Sequence, residues 1–402
     1  MKILHTSDWH LGHKFHEQSQ KEEELKFLNF LIEYINKNDI DILLVSGDIF
    51  DMSFPSAGAR KIYYDFLKNF TKTNCKYLII IGGNHDSPEN INAPKELLDI
   101  FSIYVIGKAT DNIEDEIFEF PIKDEKIIIA AVPYLRDRDI RKAISSESHD
   151  EIENRYKTAL IKHYNKISEK CENLKKENTV TIAMGHLFAI GGSTSNSEQT
   201  IYVGNLGDIG EKDFPKTFDY IALGHLHKCQ KVARKNHIRY SGSPNILSFS
   251  EVNQEKKMIE ILTENGKIKD IKEINIPKFR NILRISGTVD ECKFKILKMK
   301  NEKHKLTTWL EVILSSKNGD HYKINEFLEK QNIKNIKILK ISLKNQKKNF
   351  FIEEKIENSE EIKDLKEEEV FKMKCKEQKF NIDKNPGILD IFNEILSTIN
   401  KS

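Results

Sequence analysis

An α/β fold is predicted for the N-terminal part of this 402-residue chain, and three observations predict it. Short, almost purely apolar runs alternate with amphipathic stretches. The runs have the length and composition of strands buried on both faces. Most of them end on a glycine followed by a polar residue. At 402 residues the chain exceeds what one core usually supports, so two or three domains are expected.

The strand candidates are Met1 to His5, Ile40 to Val45, Tyr77 to Ile81, Ile127 to Val132, Val180 to Met184 and Tyr220 to Leu223. Between them, Leu25, Leu28, Leu31, Ile32 and Ile35 fall at helical spacing, as do Ile62, Phe66 and Phe70. Asp150 to Lys176 repeats the spacing with Ile152, Tyr156, Leu160, His163 and Ile167. Its acidic start and basic end predict a surface helix whose charges match its dipole. Past Pro277 the texture changes. Asn281 to Ser286, Thr308 to Leu314 and Ile336 to Leu343 read as strands, Glu291 to Met299 and His321 to Gln331 as helices, together a small α+β domain. After Lys344 charge dominates up to a closing amphipathic helix around Pro386 to Leu396. The expected domains are therefore 1–276, 277–344 and 345–402.

Hydrophobic residues make up 39% and charged residues 31% of the chain, the balance of a water-soluble globular protein. The formal charge of +2 means that any contact with a polyphosphate must come from a local patch. No apolar run reaches the ~20 residues of a membrane span, and Met1 leads straight into a strand with no leader pattern. Five scattered cysteines, an odd number, argue against a disulfide framework or a zinc knuckle, so a reducing cytoplasm is the expected location.

The chemistry collects just beyond the apolar runs. Leu4 leads to Asp8-Trp9-His10, Val45 to Ser46-Gly47-Asp48, Ile81 to Gly82-Gly83-Asn84-His85-Asp86, Met184 to Gly185-His186, and Leu223 to Gly224-His225-Leu226-His227. In an open α/β sheet, ligands gather at the carboxyl ends of strands, so these five tips should converge. Taken singly, an Asp-x-His is an ordinary surface pair, and Asp48 a turn residue. Five placements of ligand-type residues at five strand ends make a site. With oxygen and nitrogen donors and no thiolate, the set suits two divalent ions, manganese first. A pair ~3.5–4 Å apart would clamp both oxygens of an in-line displacement at phosphorus, the chemistry of phosphate-ester hydrolysis.

Asp8-Trp9-His10-Leu11-Gly12, Gly47-Asp48-Ile49-Phe50-Asp51, Gly83-Asn84-His85-Asp86, Gly185-His186 and Gly224-His225-Leu226-His227 resemble the motifs of calcineurin-like metallophosphoesterases. More narrowly they resemble the bacterial SbcD branch of the Mre11 nuclease family. Val132-Pro133-Tyr134-Leu135-Arg136, His186-Leu187-Phe188-Ala189 and Arg239-Tyr240-Ser241-Gly242-Ser243-Pro244 are similar to that branch too. The likeness implies a four-layer β-sandwich flanked by helices, with the small domain as a DNA cap. It also implies one ion on Asp8, His10 and His227, a second on Asn84, His186 and His225, and Asp48 between them. His85 would protonate the leaving 3′ oxygen or steady the transition state, tasks suited to an imidazole, which exchanges protons near neutral pH. Asp51 stands where archaeal and eukaryotic relatives carry histidine, which marks the bacterial subfamily.

The same likeness implies DNA as substrate, cut as a 3′–5′ double-strand exonuclease and a single-strand or hairpin endonuclease in repair and recombination. It also implies a homodimer through the aromatic helix from Ser56 to Phe70 and the segment from Pro94 to Phe101. A separate SbcC-like SMC-type ATPase would dock on the terminal helices, since the chain has no Walker A motif. Candidate phosphate contacts are Lys14, Arg136, Arg138, Arg141 and Lys228. The competing reading is a phosphatase or small-molecule phosphodiesterase of the same fold. Protein phosphatases of the superfamily carry Arg-Gly after their Gly-Asp motif where Met52-Ser53 stands here. A metal-free DNA-end scaffold is disfavoured because every expected ligand is present.

Overall fold

A computed structural model describes residues 1–136, 149–189, 209–300, 306–315, 321–331 and 333–343, together with Ile388 and Phe392. Arg138, Arg141 and, apart from those two positions, the expected terminal helices lie outside the described residues.

The first sheet runs in the order β14 (Lys267–Asn275), β13 (Lys257–Glu264), β1 (Lys2–Thr6), β4 (Ile42–Ser46), β5 (Tyr77–Ile81), β6 (Ile103–Ile106). The second runs β11 (Gln230–Lys231), β12 (Ile238–Tyr240), β10 (Tyr220–Gly224), β9 (Thr179–His186), β8 (Glu125–Ala131), β7 (Ile117–Ile122). Within each, the central strands are parallel: β1, β4, β5 and β6 in one, β8, β9, β10 and β12 in the other. The edge hairpin of β13 and β14 has no counterpart in the sequence reading. Its outer strand is mostly exposed and rich in charge, with isoleucine only at every third position, so it lacks the apolar signature of the other strands.

Period-two alternation distributes these strands over three apolar layers. Ile3, Ile42, Leu44, Ile79 and Ile81 face Ile127, Ile129, Val180, Ile182 and Met184 between the sheets. Leu4, Leu43, Val45, Leu78 and Ile80 turn outward onto α1 (Lys21–Asn38) and α2 (Ala57–Phe70). Ile128, Ala130, Ala183, Ile221 and Leu223 turn outward onto α5 (His149–Leu174), which follows the short helices α3 (Pro88–Asn92) and α4 (Lys95–Asp99). This is the four-layer sandwich of the expected fold class. Each fully buried aliphatic side chain contributes roughly 1.5–3 kcal/mol.

Details of the helices differ from expectation. In α1 the buried stripe is Phe27, Leu28, Leu31 and Ile35, while Leu25 is exposed. Lys175 and Lys176, read as the basic end of α5, fall past its last residue, so they do not sit in its final turn. The α2 aromatics divide: Tyr63, Phe66 and Phe70 enter the core and Tyr64 stays exposed.

The C-terminal unit comprises β15 (Ile282–Gly287), α6 (Val289–Lys300), β16 (Thr308–Leu314), α7 (His321–Lys330) and β17 (Ile336–Leu343). It was expected to be α+β. The strands instead alternate with the helices and pair in parallel, β15-β16-β17, which makes it a βαβαβ unit. Strand and helix content was readable, but the direction of pairing depends on crossovers that periodicity does not encode. Leu310, Val312 and Leu314 pack on the helices with Cys292, Ile296 and Ile324. On the opposite face Trp309 stacks against Phe15, ring centroids 5.5 Å apart, and seats the unit on the sandwich.

Candidate metal centre

The five expected strand tips converge, and they do so from the two sheets of the sandwich. β1, β4 and β5 supply Asp8, His10, Asp48, Asn84 and His85; β9 and β10 supply His186, His225 and His227. The sheets meet here through Ser46, whose hydroxyl donates to Ala222 O at 3.0 Å and whose carbonyl accepts from His186 Nδ1 at 2.9 Å. Position 224 must be glycine for this approach, because a Cβ there would land on the Ser46 carbonyl.

The loops after β1 and β4 run side by side, with Asp8 N donating to Gly47 O (3.0 Å), His10 N to Asp48 O (3.0 Å) and Leu11 N to Ile49 O (2.9 Å). To aim their side chains inward, Asp8, His10, Asp48 and His225 adopt positive φ of 53°, 46°, 49° and 103°. Side-chain-bearing residues hold that conformation at a cost of about 1–3 kcal/mol each, met by the surrounding structure and typical of functional loops. Asp86 supplies part of that bracing. Its buried carboxylate accepts from Ile49 N (3.1 Å), Phe50 N (2.9 Å) and Gly83 N (2.9 Å), tying the β4 and β5 loops together. Burial pushes this carboxyl up to about 6, and the nearby Asp48 adds to the rise.

Two donor clusters result. Asp8, His10 and His227 bring ligand-type atoms within 4.8 Å of one another, and so do Asp48, His186 and His225. Asn84 joins the second, its Oδ1 lying 2.9 Å from His186 Nε2 and 3.1 Å from His225 Nδ1. Asp48 stands between them, with Oδ2 3.6 Å from His10 Nε2 and 3.3 Å from His186 Nε2. His85 closes a third grouping with His10 and Asp48. Its Nδ1 donates to Asp51 O at 2.8 Å and its backbone N to Asp48 Oδ1 at 2.9 Å. Asn84 and His85 are half-buried, whereas the other proposed donors are buried.

The electrostatics fit a cation site. Burial pushes the Asp8 carboxyl up to about 6 against the pull of His186 and His227. At Asp48 burial acts in the same direction, but His186, His10 and His85 outweigh it and hold the carboxyl well below the ordinary range. Burial, aided by His186, lowers His225 to about 3, and burial lowers His10 to about 4, which favours the neutral imidazole in both. For His186 burial is overcome by Asp48, and the imidazole rises to about 9. His10 Nε2 and His227 Nε2 face each other at 3.2 Å. At most one proton fits between two such nitrogens, whereas a divalent ion takes both lone pairs. The donor set, all oxygen and nitrogen, suits hard-to-borderline divalent ions.

Some functional neighbours escaped the sequence reading. Asp51, noted only as a subfamily marker, has its carboxylate 2.8 Å from His13 Nδ1 and 3.4 Å from His10 Nδ1. Ser7 donates to Asp8 Oδ2 at 2.5 Å. Glu251 lies 3.4 Å from His227 Nδ1 across 24 positions of sequence, and no local signal marks it. Of the basic candidates, Lys14 and Lys228 are exposed, while Arg136 donates to Asp86 O at 2.7 Å and thereby braces the His85 loop.

Comparison with known proteins follows the same line. Residues 1–229 match the family of calcineurin-like phosphoesterases. The SbcD component of the nuclease SbcCD from Escherichia coli (strain K12) is 30% identical over 319 residues, 79% of this chain and 78% of that protein. The chain belongs to the calcineurin-like phosphoesterases, in the SbcD family. Other SbcD proteins show similar likeness: that of Bacillus subtilis (strain 168) is 31% identical over 271 residues, 66% of this chain and 67% of its own. That of Staphylococcus epidermidis is 29% identical over 302 residues, 75% and 76% of the two chains. With the calcineurin-like family comes dependence on divalent metal ions, and the two donor clusters are where this SbcD relative offers to hold them.

Proposed function

We propose that this chain is the nuclease subunit of an SbcCD-type complex, a hydrolase that cuts DNA phosphodiesters with two divalent ions, manganese the first choice. The observation that carries the reading is the position of Asp48, between two clusters of nitrogen and oxygen donors that arrive from separate sheets. Asp8, His10 and His227 would hold one ion; Asn84, His186 and His225 the other; Asp48 both.

A bound ion pair supplies charge neutralisation at the phosphoryl oxygens and acidifies an attacking water. The chain's own groups do the rest. Asp48 remains an anion at working pH, because the imidazoles around it hold its carboxyl low. His85 is tethered through Nδ1 to Asp51 O, which leaves Nε2 as the atom that exchanges a proton with the departing 3′ oxygen. Arg136, whose Nη2 donates to Asp86 O, braces the loop that carries His85. Lys14 and Lys228, both exposed, are further candidate phosphate contacts.

The substrate class is DNA, cut exonucleolytically from 3′ ends of duplexes and endonucleolytically at single strands or hairpins, in repair, recombination and replication. The partner is an SbcC-like SMC-type ATPase, docked by the region 345–402, and the 277–344 unit caps the DNA. Tyr64, Leu97, Ile100 and Phe101 are exposed, with Ile100 at 75%, and form the apolar surface for a homodimer. Among the described residues no helix is long and apolar enough to cross a membrane; the working location is the cytoplasm. The test is manganese-dependent degradation of linear duplex DNA by the purified chain, alone and with its ATPase, beside His85→Ala. Loss of duplex only with intact His85 is expected. Intact duplex under both conditions, with small phosphodiesters hydrolysed, would refute DNA as substrate.

A further inference from the structure

Outside the donor clusters, one fully buried carboxylate touches a metal-ligand histidine and has no part in the chemistry assigned above. Glu251 is 0% exposed. Its Oε1 lies 3.4 Å from His227 Nδ1, and its Oε2 accepts from Leu247 N at 3.1 Å and Lys256 Nζ at 2.6 Å. Lys256 Nζ in turn donates to Ser243 Oγ at 2.8 Å and His227 O at 3.2 Å, so ammonium and carboxylate grip the backbone and ring of the same histidine. A buried carboxylate alone would be costly; Lys256 balances it without competing for the imidazole.

A carboxylate at Nδ1 fixes the proton there, so that the Nε2 lone pair faces His10 and the site. Such outer partners set the ring angle and basicity of metal-binding histidines. Glu251 also ends a single 3₁₀ turn, Phe249–Glu251. Phe249 meets Phe15 edge to face at 4.8 Å, and Phe15 stacks on Trp309 of the C-terminal unit at 5.5 Å. Arg280 lies over the other part of that indole, 4.1 Å from its centroid, and pairs with Glu23 of α1. A second route runs from the same turn: Leu247 O accepts from His13 Nε2 at 3.1 Å, and His13 Nδ1 meets Asp51 beside His10. His227 is therefore braced from a turn whose Phe249 packs, through Phe15, against Trp309 of the C-terminal unit.

We propose that Glu251 is a positioning residue for His227, and that through Phe249 and Phe15 it ties the angle of that ligand to the seating of Trp309. The inference rests on the dinuclear reading above and deepens it. When the C-terminal unit is firmly seated, His227 is held in its binding orientation; when the unit shifts, the ion shared by Asp8, His10 and His227 loosens while the other ion keeps its ligands.

The test is direct manganese titration of the full chain by calorimetry, for wild type, Glu251→Gln and Trp309→Leu. Wild type binds two ions. Glu251→Gln should weaken one of them by ~10–100-fold, the usual effect of losing such an outer partner, and leave the second unchanged; Trp309→Leu should weaken the same ion several-fold. Equal affinities in wild type and Glu251→Gln overturn the positioning role, as does weakening of both ions alike, which is what a merely structural defect produces. Unchanged binding in Trp309→Leu overturns the link to the C-terminal unit. A wild type that fails to bind two ions sinks the dinuclear reading itself, and this inference with it.

Discussion

Glu311 in the C-terminal unit and Asp48 in the sandwich are both buried carboxylates, 2% and 1% exposed, and the company they keep differs. Glu311 sits between the Arg284 guanidinium, Nε to Oε2 2.5 Å, and the Lys340 ammonium, Nζ to Oε1 3.2 Å. Asp48 sits among three imidazoles, His10, His186 and His85, with a second buried carboxylate, Asp8, among the groups that it perturbs. The first arrangement answers its own charge and holds a sheet together. The second is answered only in part by the protein, and it is the kind that a pair of cations completes. Of these two buried carboxylates, the one left only partly answered by the protein is the candidate for function.

The comparison breaks most easily at Asp48. Asp48→Asn should cut nuclease activity by roughly three orders of magnitude or more, equivalent to about 4 kcal/mol of barrier. Both ions should be weakened in a titration while the metal-free protein melts no lower than wild type; retention of two tightly held ions would remove Asp48 from between them. His85→Asn should cost about 10²–10⁴-fold in rate, the range of a lost proton donor, with both ions still bound. If ion binding falls as well, His85 belongs with the ligands.

A third expectation concerns His5, buried between the sheets with Nδ1 3.1 Å from Tyr220 OH. Burial lowers it to about 3, with Arg239 adding to the fall. Its folded value lies below the ordinary 6.5, so the unfolded chain takes up the proton first as acid is added. The stability that His5 contributes is therefore complete above about 6.5 and lost as pH falls toward 3, on the order of a few kcal/mol in all. Urea unfolding across that window should show the slope, and His5→Gln should flatten it. The smallest effect is expected at Glu311. Glu311→Gln should lower stability by about 1–2 kcal/mol, since Arg284 is partly exposed and screened, with manganese affinity unaltered.

Much of this was legible in the sequence because the site is written locally. Each of the seven proposed donors stands within a few residues of an apolar run, and four of the five tips have glycine beside the ligand, so strand end and chemistry appear together. The partners of those donors are not written that way. Glu251 reaches His227, and His13 reaches Leu247, only after the chain has folded across many positions. The strands themselves were readable from burial on both faces, yet their assignment to two sheets was not, because β13 enters beside β1 from more than 250 residues away. The parallel pairing of β15, β16 and β17 escaped for the same reason: periodicity reports faces, not neighbours.

The contact of Ser46 with Ala222 and His186 has a mechanical consequence. Two stacked sheets resist sliding only through the side chains between them, yet here the proposed donors for one cation pair are bolted to both. Ions bound at this seam would act as rivets, so chelation should soften the whole sandwich as well as silence it. Conversely, a slip of one sheet by an ångström would part the donors long before any strand had melted.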